Sequence, residues 1–230
     1  MSAALQRISE GRTTLGPFTP PDPIEVGLAG VLVTAFAVQM VAQLFFNAGH
    51  AVQRLALSSA SLAEGRPWTI LTHIFLHGGI THIFLNASFA TAVTPPVMRA
   101  LGRSAGGLAR FMLFFLVCGV AGGLTFVLFH LHSQRAAIGA SGALSGLCGA
   151  AIRANLGRGA LAHPFSRDVL RASAPFLLLN VVLMGLLAGA GVPIAWEAHL
   201  GGFLTGLLLF GLFVPRRSGA VEVEGPWSST

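Results

Sequence analysis

Residues 138–146 read Ile-Gly-Ala-Ser-Gly-Ala-Leu-Ser-Gly, and residues 198–206 read Ala-His-Leu-Gly-Gly-Phe-Leu-Thr-Gly. Each stretch opens an apolar segment and carries one side chain with catalytic chemistry, Ser141 in the first and His199 in the second. Each also holds two glycines four residues apart, a spacing that lets the backbones of two helices approach closely. We therefore expect two helices to meet through these glycines, with the Ser141 hydroxyl near the His199 imidazole. The glycines are Gly142, Gly146, Gly202 and Gly206.

The composition is that of a protein that folds in lipid. Hydrophobic residues make up 53% of the 230 residues and charged residues only 10%, a balance that a water-soluble domain of this size does not need to fill its core. All 14 of the lysine and arginine residues are arginines, and most lie at the ends of apolar runs, so the basic charge indicates membrane topology. No basic patch alternates with aromatic residues, which argues against a nucleic-acid partner. The lipid bilayer is the expected surrounding.

Six apolar stretches predict six membrane-spanning helices. Each is near the ~20 residues that cross a hydrocarbon core, and the fourth is the shortest. The connection between the first two, residues 50–80, mixes apolar residues with arginine and glutamate, which is typical of a segment that lies at the membrane interface. The predicted spans are about 26–48, 79–98, 108–131, 139–155, 172–190 and 195–214.

The arginines predict an orientation. With the N-terminus in the cytoplasm, eleven arginines fall inside and three, Arg54, Arg66 and Arg135, fall outside, which favours a cytoplasmic location for both termini. The second, fourth and sixth spans then begin at the outer side and run inward. Ser141 and His199 would both lie roughly 3–6 Å below the outer ends of their helices.

The chain is expected to form one membrane domain over residues 25–215, between a polar N-terminal tail, 1–24, and a C-terminal tail, 216–230. The first 24 residues lack the pattern of a cleaved signal peptide, so the first span is expected to act as the insertion signal. A multi-pass protein of a bacterial inner membrane is favoured, with organellar insertion left open. Cys118 and Cys148 lie in apolar stretches and indicate neither a disulfide framework nor a metal site.

A serine beside a histidine points to hydrolysis within the membrane. A serine hydroxyl becomes a useful nucleophile when a base within hydrogen-bond reach takes its proton, and an imidazole titrates close to working pH. Glu197 lies only two residues from His199 and so faces another way, which leaves a two-residue dyad. His82 and Asn86 share a helical face, and both can donate to the oxyanion of a tetrahedral intermediate. The backbone N–H of Ser141 adds a third donor.

Taken in order, these motifs resemble those of the rhomboid family of intramembrane serine proteases. The resemblance spans roughly residues 25–215, and the motifs fall on the expected spans. The matching residues are Gly139-Ala140-Ser141-Gly142 against the family's GxSG motif, His82 and Asn86 against its HxxxN motif, and His199, Gly202 and Gly206 against the histidine and glycines of its sixth helix.

The resemblance implies an all-α membrane protein, a six-transmembrane-helix bundle that acts as a serine endopeptidase. Ser141 would be the nucleophile, His199 the general base, and His82 and Asn86, with the Ser141 amide, the oxyanion donors. The substrates would be single-span membrane proteins, cut within or next to their helices, and no cofactor or metal is implied. Relatives often carry an aromatic residue that packs on the histidine ring, whereas this chain has Ser145 there, so another group must position the ring.

Some of these polar residues also have plainer interpretations. A serine in a glycine-rich span is, by itself, evidence of close helix packing. His73 and His77 mimic two zinc ligands, but no acidic residue follows His73 as in HExxH, so we expect them to bond loop backbone or line a wet cavity. Asn180, in the fifth span, is expected only to bridge helices.

Two other functions compete with proteolysis. One is a catalytically inactive rhomboid-like binding or membrane quality-control protein, although such relatives typically lack the serine or the histidine. The other is a small transporter or channel, although the six stretches hold no pair of intramembrane acids.

Overall fold

The computed structural model describes residues 23–46, 49–157, 160–190 and 194–215, and this part of the chain is all-α. The predicted tails lie almost entirely outside the described residues. The elements are α1 (Pro23–Phe46), α2 (Gly49–Leu55), α3 (Ser59–Ala63), α4 (Thr69–Thr72), a 3₁₀ turn (His73–Phe75), α5 (Ile80–Leu101), α6 (Ala105–Phe129), α7 (Ser141–Leu156), α8 (Arg167–Gly189), α9 (Trp196–Leu209) and a second 3₁₀ turn (Phe210–Leu212).

Six of these helices, α1 and α5 to α9, fall where the six apolar stretches predicted helices. Their boundaries differ by a few residues for local reasons. Helix α6 starts at Ala105 because the Ser104 hydroxyl caps it by accepting a hydrogen bond from the Gly107 amide. Among the described residues, Val26–Phe45 and Ala105–Phe129 are long and apolar enough to cross a membrane on length and composition alone. The number of crossings and the side on which the termini lie stay predictions.

Helix α7 lies at the centre of the bundle. It packs against α5, α6 and α9, and most of its residues are buried. Because lipid tails are as apolar as leucine, helices in a bilayer associate through close packing rather than through hydrophobic burial. Small residues on α7 permit that packing, and larger side chains from α1, α5 and α6 fill the space around them. Examples of buried side chains in this core are Leu32, Val97, Phe114, Phe115 and Leu144.

The connection between α1 and α5 packs against the rest of the protein, and its location at the membrane interface stays a prediction. Leu57 is fully buried and exchanges two backbone hydrogen bonds with Ala137, of 3.1 and 2.7 Å. The Thr72 hydroxyl donates to the Leu55 carbonyl over 2.7 Å. The two bonds between Leu57 and Ala137 pair the connection with the stretch that precedes α7, and the Thr72 bond holds two parts of the connection together.

Arg153, one of the arginines counted as cytoplasmic, is buried and bonds to the protein itself. Its Nε donates to the Ala162 carbonyl over 2.9 Å, and its Nη1 donates to the Leu207 carbonyl over 2.8 Å. Carbonyls in the last turn of a helix lack intrahelical partners, and Arg153 supplies one to α9. Its position reflects packing as much as topology.

Candidate active site

Helices α7 and α9 pack backbone to backbone through their glycines. A Cβ added at Gly202 would overlap the Gly142 carbonyl oxygen, and one added at Gly206 would overlap the Gly146 carbonyl oxygen. Gly142 itself has little room, since its Cβ would lie 3.2 Å from the Ala198 carbonyl oxygen. The structure thus brings these two glycine pairs into contact.

This close approach brings Ser141 and His199 together. Ser141 is the first residue of α7, and its Oγ lies 2.8 Å from His199 Nε2. That distance is within hydrogen-bond reach, the condition for an imidazole to take a hydroxyl proton. The predicted juxtaposition is present, while the catalytic roles of the two side chains stay predictions.

His82 and Asn86 border the turn that leads into α7. Gly139 has φ of 115°, and a Cβ there would lie 2.7 Å from His82 Nε2 and 3.7 Å from Asn86 Nδ2. Only glycine tolerates both this backbone conformation and this crowding. Two donors on one face of α5 thus reach a turn two residues before Ser141.

The donors at this turn have defined proton positions. The Gly78 amide donates to His82 Nδ1 over 3.2 Å, so in neutral His82 the proton lies on Nε2, the nitrogen nearer Gly139. Asn86 is only 4% exposed, and its Nδ2 has no hydrogen-bond partner among the described residues. A buried donor without a partner is costly, and an unpaired donor is what an oxyanion site requires.

The rhomboid domain pattern matches residues 64–216, which hold all of these side chains. This chain belongs to the rhomboid family. It is 31% identical over 202 residues to the Bacillus subtilis (strain 168) protein "Putative rhomboid protease YdcA", with 84% of this chain and 92% of that protein covered. It is 27% identical to RHOMBOID-like protein 5 of Arabidopsis thaliana over 67% of this chain and 46% of that protein. It is 28% identical to rhomboid protease GluP of Bacillus subtilis (strain 168), over 66% and 27% respectively.

These comparisons, together with the apolar helices, make the chain an integral membrane protein of a family that includes named proteases. The chain spans nearly the whole of one of these relatives and less than half the length of the other two.

Asn180 is the site residue whose contact the sequence did not reveal. Its Oδ1 lies 2.7 Å from His199 Nδ1, and its Nδ2 donates to the Phe176 carbonyl over 2.9 Å. The prediction that Asn180 bridges helices is correct, since it connects α8 to α9, but its partner is the site histidine. Asparagine inside an apolar helix needs a polar partner, and that need was the available signal. The sequence could not tell which side chain of α9 faces it.

Ser145 and Glu197 lie close to the dyad residues in the sequence, but their side chains contact other groups. The Ser145 hydroxyl donates to the Ser141 carbonyl over 2.7 Å, within α7. Glu197 turns away from His199, as predicted, and its Oε1 lies 3.8 Å from His130 Nε2 on the α6 side. Neither group contacts the imidazole of His199 through a described hydrogen bond.

His73 and His77 support the site from the connection before α5. His73 Nδ1 donates to the Thr69 carbonyl over 2.9 Å, and the His73 carbonyl accepts from the Gly139 amide over 2.8 Å, so the predicted bonding to loop backbone is confirmed for His73. Burial lowers the pKa of His73, against the opposing effect of the Thr69 carbonyl. Burial, and secondly the nearby His82, lower the pKa of His77 to about 4. Both rings are neutral near pH 7.

Proposed function

We propose that this rhomboid-family protein is an intramembrane serine endopeptidase with Ser141 as its nucleophile and His199 as its general base. The observation that carries the proposal is the 2.8 Å contact between Ser141 Oγ and His199 Nε2. It lies at a helix contact that glycines hold at fixed distance, so the pair does not depend on a mobile loop. A serine that served packing alone would have no need of an imidazole at this distance.

In the proposed reaction, His199 Nε2 takes the Ser141 proton as Oγ attacks the carbonyl carbon of the scissile peptide bond. The imidazolium then returns that proton to the leaving amine, and the C–N bond breaks to leave an acyl group on Oγ. A water molecule, deprotonated by the same nitrogen, hydrolyses this ester and restores the hydroxyl. The cycle needs no cofactor, and all protons pass through one ring nitrogen.

The negative charge of each tetrahedral intermediate is proposed to rest between three donors: Asn86 Nδ2, His82 Nε2 and the Ser141 amide. The unpartnered Asn86 amide supports this role, because an oxyanion would satisfy a donor that otherwise stays buried and unbonded. Ser141 is the first residue of its helix, so its N–H has no intrahelical acceptor. Two neutral histidines nearby, His73 and His77, support a site without fixed charge before the reaction.

We propose single-span membrane proteins as substrates. A peptide carbonyl inside a helix is already hydrogen-bonded, so Oγ can attack only where the substrate helix has unwound or ended. Small or helix-breaking residues near one end of a transmembrane segment meet that requirement. We further propose that both termini face the cytoplasm of a bacterial cell and that six helices cross its inner membrane.

The test is cleavage of a model single-span substrate by the purified protein in liposomes. Ser141→Ala and His199→Ala are each expected to abolish cleavage. Ser145→Ala is the matched control, because it removes a hydroxyl one turn further along α7 that donates only to the Ser141 carbonyl. Intact folding with undiminished cleavage by Ser141→Ala would overturn the proposed mechanism, and loss of cleavage in Ser145→Ala alone would point to packing.

Asn86→Ala tests the oxyanion role separately. Removing one oxyanion donor typically lowers kcat by about 10²–10³-fold with little change in KM. Ser88→Ala, an exposed serine on the same helix, is the control and should leave kcat unchanged. A rise in KM alone, with kcat retained, would contradict the oxyanion role of Asn86.

A further inference from the structure

Asn180 lies within a chain of hydrogen bonds that runs from a backbone carbonyl to the Ser141 hydroxyl. The chain passes from the Phe176 carbonyl to Asn180 Nδ2 over 2.9 Å, then from Asn180 Oδ1 to His199 Nδ1 over 2.7 Å, and from His199 Nε2 to Ser141 Oγ over 2.8 Å. Three helices, α7, α8 and α9, contribute to it. The direction of each hydrogen bond determines which atom carries the proton of the next one.

The carbonyl of Phe176 can only accept, so the atom of Asn180 that faces it must be the NH₂ group. The remaining atom, Oδ1, can only accept, so His199 Nδ1 must carry a proton. In a neutral imidazole the other nitrogen, Nε2, is then bare, and it accepts from the Ser141 hydroxyl. The backbone carbonyl of α8 therefore fixes the direction of every hydrogen bond in the chain.

We propose that Asn180 is a positioning residue that holds His199 in the one neutral tautomer able to accept the Ser141 proton, an inference that rests on the proposed function. The hydrogen bonds of the Asn180 side chain go to His199 and to the Phe176 carbonyl and not to Ser141, so Asn180 acts through the imidazole. It takes the position that an acidic residue holds in a Ser-His-Asp triad, as asparagine does in some cysteine proteases. It also supplies the ring support that Ser145 cannot give.

The packing of α8 on α9 keeps this contact in place. Phe176 and Asn180 are one turn apart on α8, and Phe203 and His199 are one turn apart on α9. The rings of Phe176 and Phe203 stack with centroids 4.7 Å apart and an interplanar angle of 14°. The Phe176–Phe203 ring stack and the Asn180–His199 hydrogen bond thus join the same two antiparallel helices. Phe176 takes part in both connections, through its ring and through the carbonyl that bonds to Asn180.

A neutral amide suits this position in an apolar bundle. A carboxylate would stabilise the imidazolium more strongly, but it would also have to be buried as a charge before the reaction begins, which is expensive. An amide orients the ring through the same acceptor oxygen without that expense. Its second group, Nδ2, is used to fix its own orientation.

Three variants in the liposome assay test the proposal. Asn180→Leu keeps the size but removes the acceptor, and kcat is expected to fall about 10–100-fold, as for other groups that orient a functional histidine, with KM nearly unchanged. Asn180→Asp keeps an acceptor oxygen and should recover most of that loss. Ser173→Ala is the matched control: this buried hydroxyl of α8 also bonds to the carbonyl four residues earlier, over 2.8 Å, but does not reach His199.

A second readout does not depend on cleavage. In protein with ¹⁵N-labelled histidine in detergent micelles, the His199 signals, assigned by their loss in His199→Gln, should show one protonated Nδ1 and one bare Nε2. In Asn180→Leu they should shift toward a mixture of the two tautomers, while Ser173→Ala leaves them unchanged. An unaltered tautomer in folded Asn180→Leu overturns the proposal, whatever the activity.

The two proposals fail in different ways. If wild-type protein cleaves, Ser141→Ala does not, and Asn180→Leu keeps the kcat of Ser173→Ala, then Asn180 is not a positioning residue while the protease function stands. If neither wild-type protein nor any variant cleaves, the proposed function fails, and the ¹⁵N signals still decide whether Asn180 sets the tautomer. If Asn180→Asp lowers kcat as much as Asn180→Leu does, that result would also contradict the role of Asn180 as an acceptor.

Discussion

Helix α9 meets its two neighbours at the site in opposite ways. Against α7 it presents Gly202 and Gly206, and the two backbones touch with no space for a side chain. Against α8 it presents the side chains of Phe203 and His199. Phe203 stacks on the Phe176 ring, and His199 forms a hydrogen bond with Asn180. The first contact fixes how far Ser141 lies from the imidazole, and the second fixes how the imidazole is turned. Distance and orientation are thus assigned to different interfaces.

The largest effect is expected from breaking the backbone contact. Gly206→Val would drive a branched side chain into the Gly146 carbonyl, so α7 and α9 must separate. We expect loss of detectable cleavage and a fall of several kcal/mol in the free energy of unfolding, as for other overpacked cores. Thermal unfolding in detergent and the liposome assay measure the two quantities.

The matched control for that variant is Gly30→Val on α1, where an added Cβ meets nothing within 4 Å. It should keep both cleavage and stability close to wild type. If Gly206→Val cleaved as fast as Gly30→Val, the backbone contact would not set the distance between serine and histidine, and the comparison would fail at its first interface.

A smaller effect is expected from weakening the Phe176–Phe203 ring stack between α8 and α9. Phe176→Leu keeps an apolar side chain but removes the stack on Phe203, a contact worth about 0.5–1.5 kcal/mol beyond its buried area. We expect kcat to fall several-fold while the protein stays folded. Phe45→Leu, on a ring that is 77% exposed, is the control for the same substitution. Equal kcat in the two variants would show that α8 packing does not orient the ring.

The smallest effect is expected from combining Phe176→Leu with Asn180→Leu. If Phe176 influences the reaction only by holding Asn180 against His199, then adding Phe176→Leu to Asn180→Leu should lower kcat no further. Residues that act as one unit give such non-additive effects, and independent residues give additive ones. A double-mutant cycle on kcat measures this. Additive losses of kcat would mean that the ring stack of Phe176 and the hydrogen bond of Asn180 act independently.

Much of the fold was predictable because lipid imposes simple rules. Apolar runs of sufficient length become helices, and the spacing of Gly142, Gly146, Gly202 and Gly206 predicted which two helices touch. Their contact then brought Ser141 to its partner without further information. His82 and Asn86 were found by their own i, i+4 spacing. These features are local in sequence or depend on one pair of complementary faces.

What the sequence could not reveal depends on the register between α8 and α9. The glycines of α8 that are four residues apart, Gly185 and Gly189, lie five and nine residues beyond Asn180, so they did not indicate that Asn180 lies level with His199. Arg153 looked like a loop-end cation, because the carbonyls that it meets belong to the loop after its own helix, at Ala162, and to α9, at Leu207. The inward fold of the connection through Leu57 likewise depends on its pairing with Ala137.

The most direct test of the central claim is to identify the covalent adduct that a serine-directed fluorophosphonate forms with the purified protein. Digestion and mass spectrometry locate the modified residue. We predict one phosphonyl group per chain, on Ser141, and a much slower reaction in His199→Ala, because an unassisted hydroxyl is a poor nucleophile. Labelling of folded wild-type protein elsewhere than Ser141, or at the same rate without the imidazole, would contradict the account.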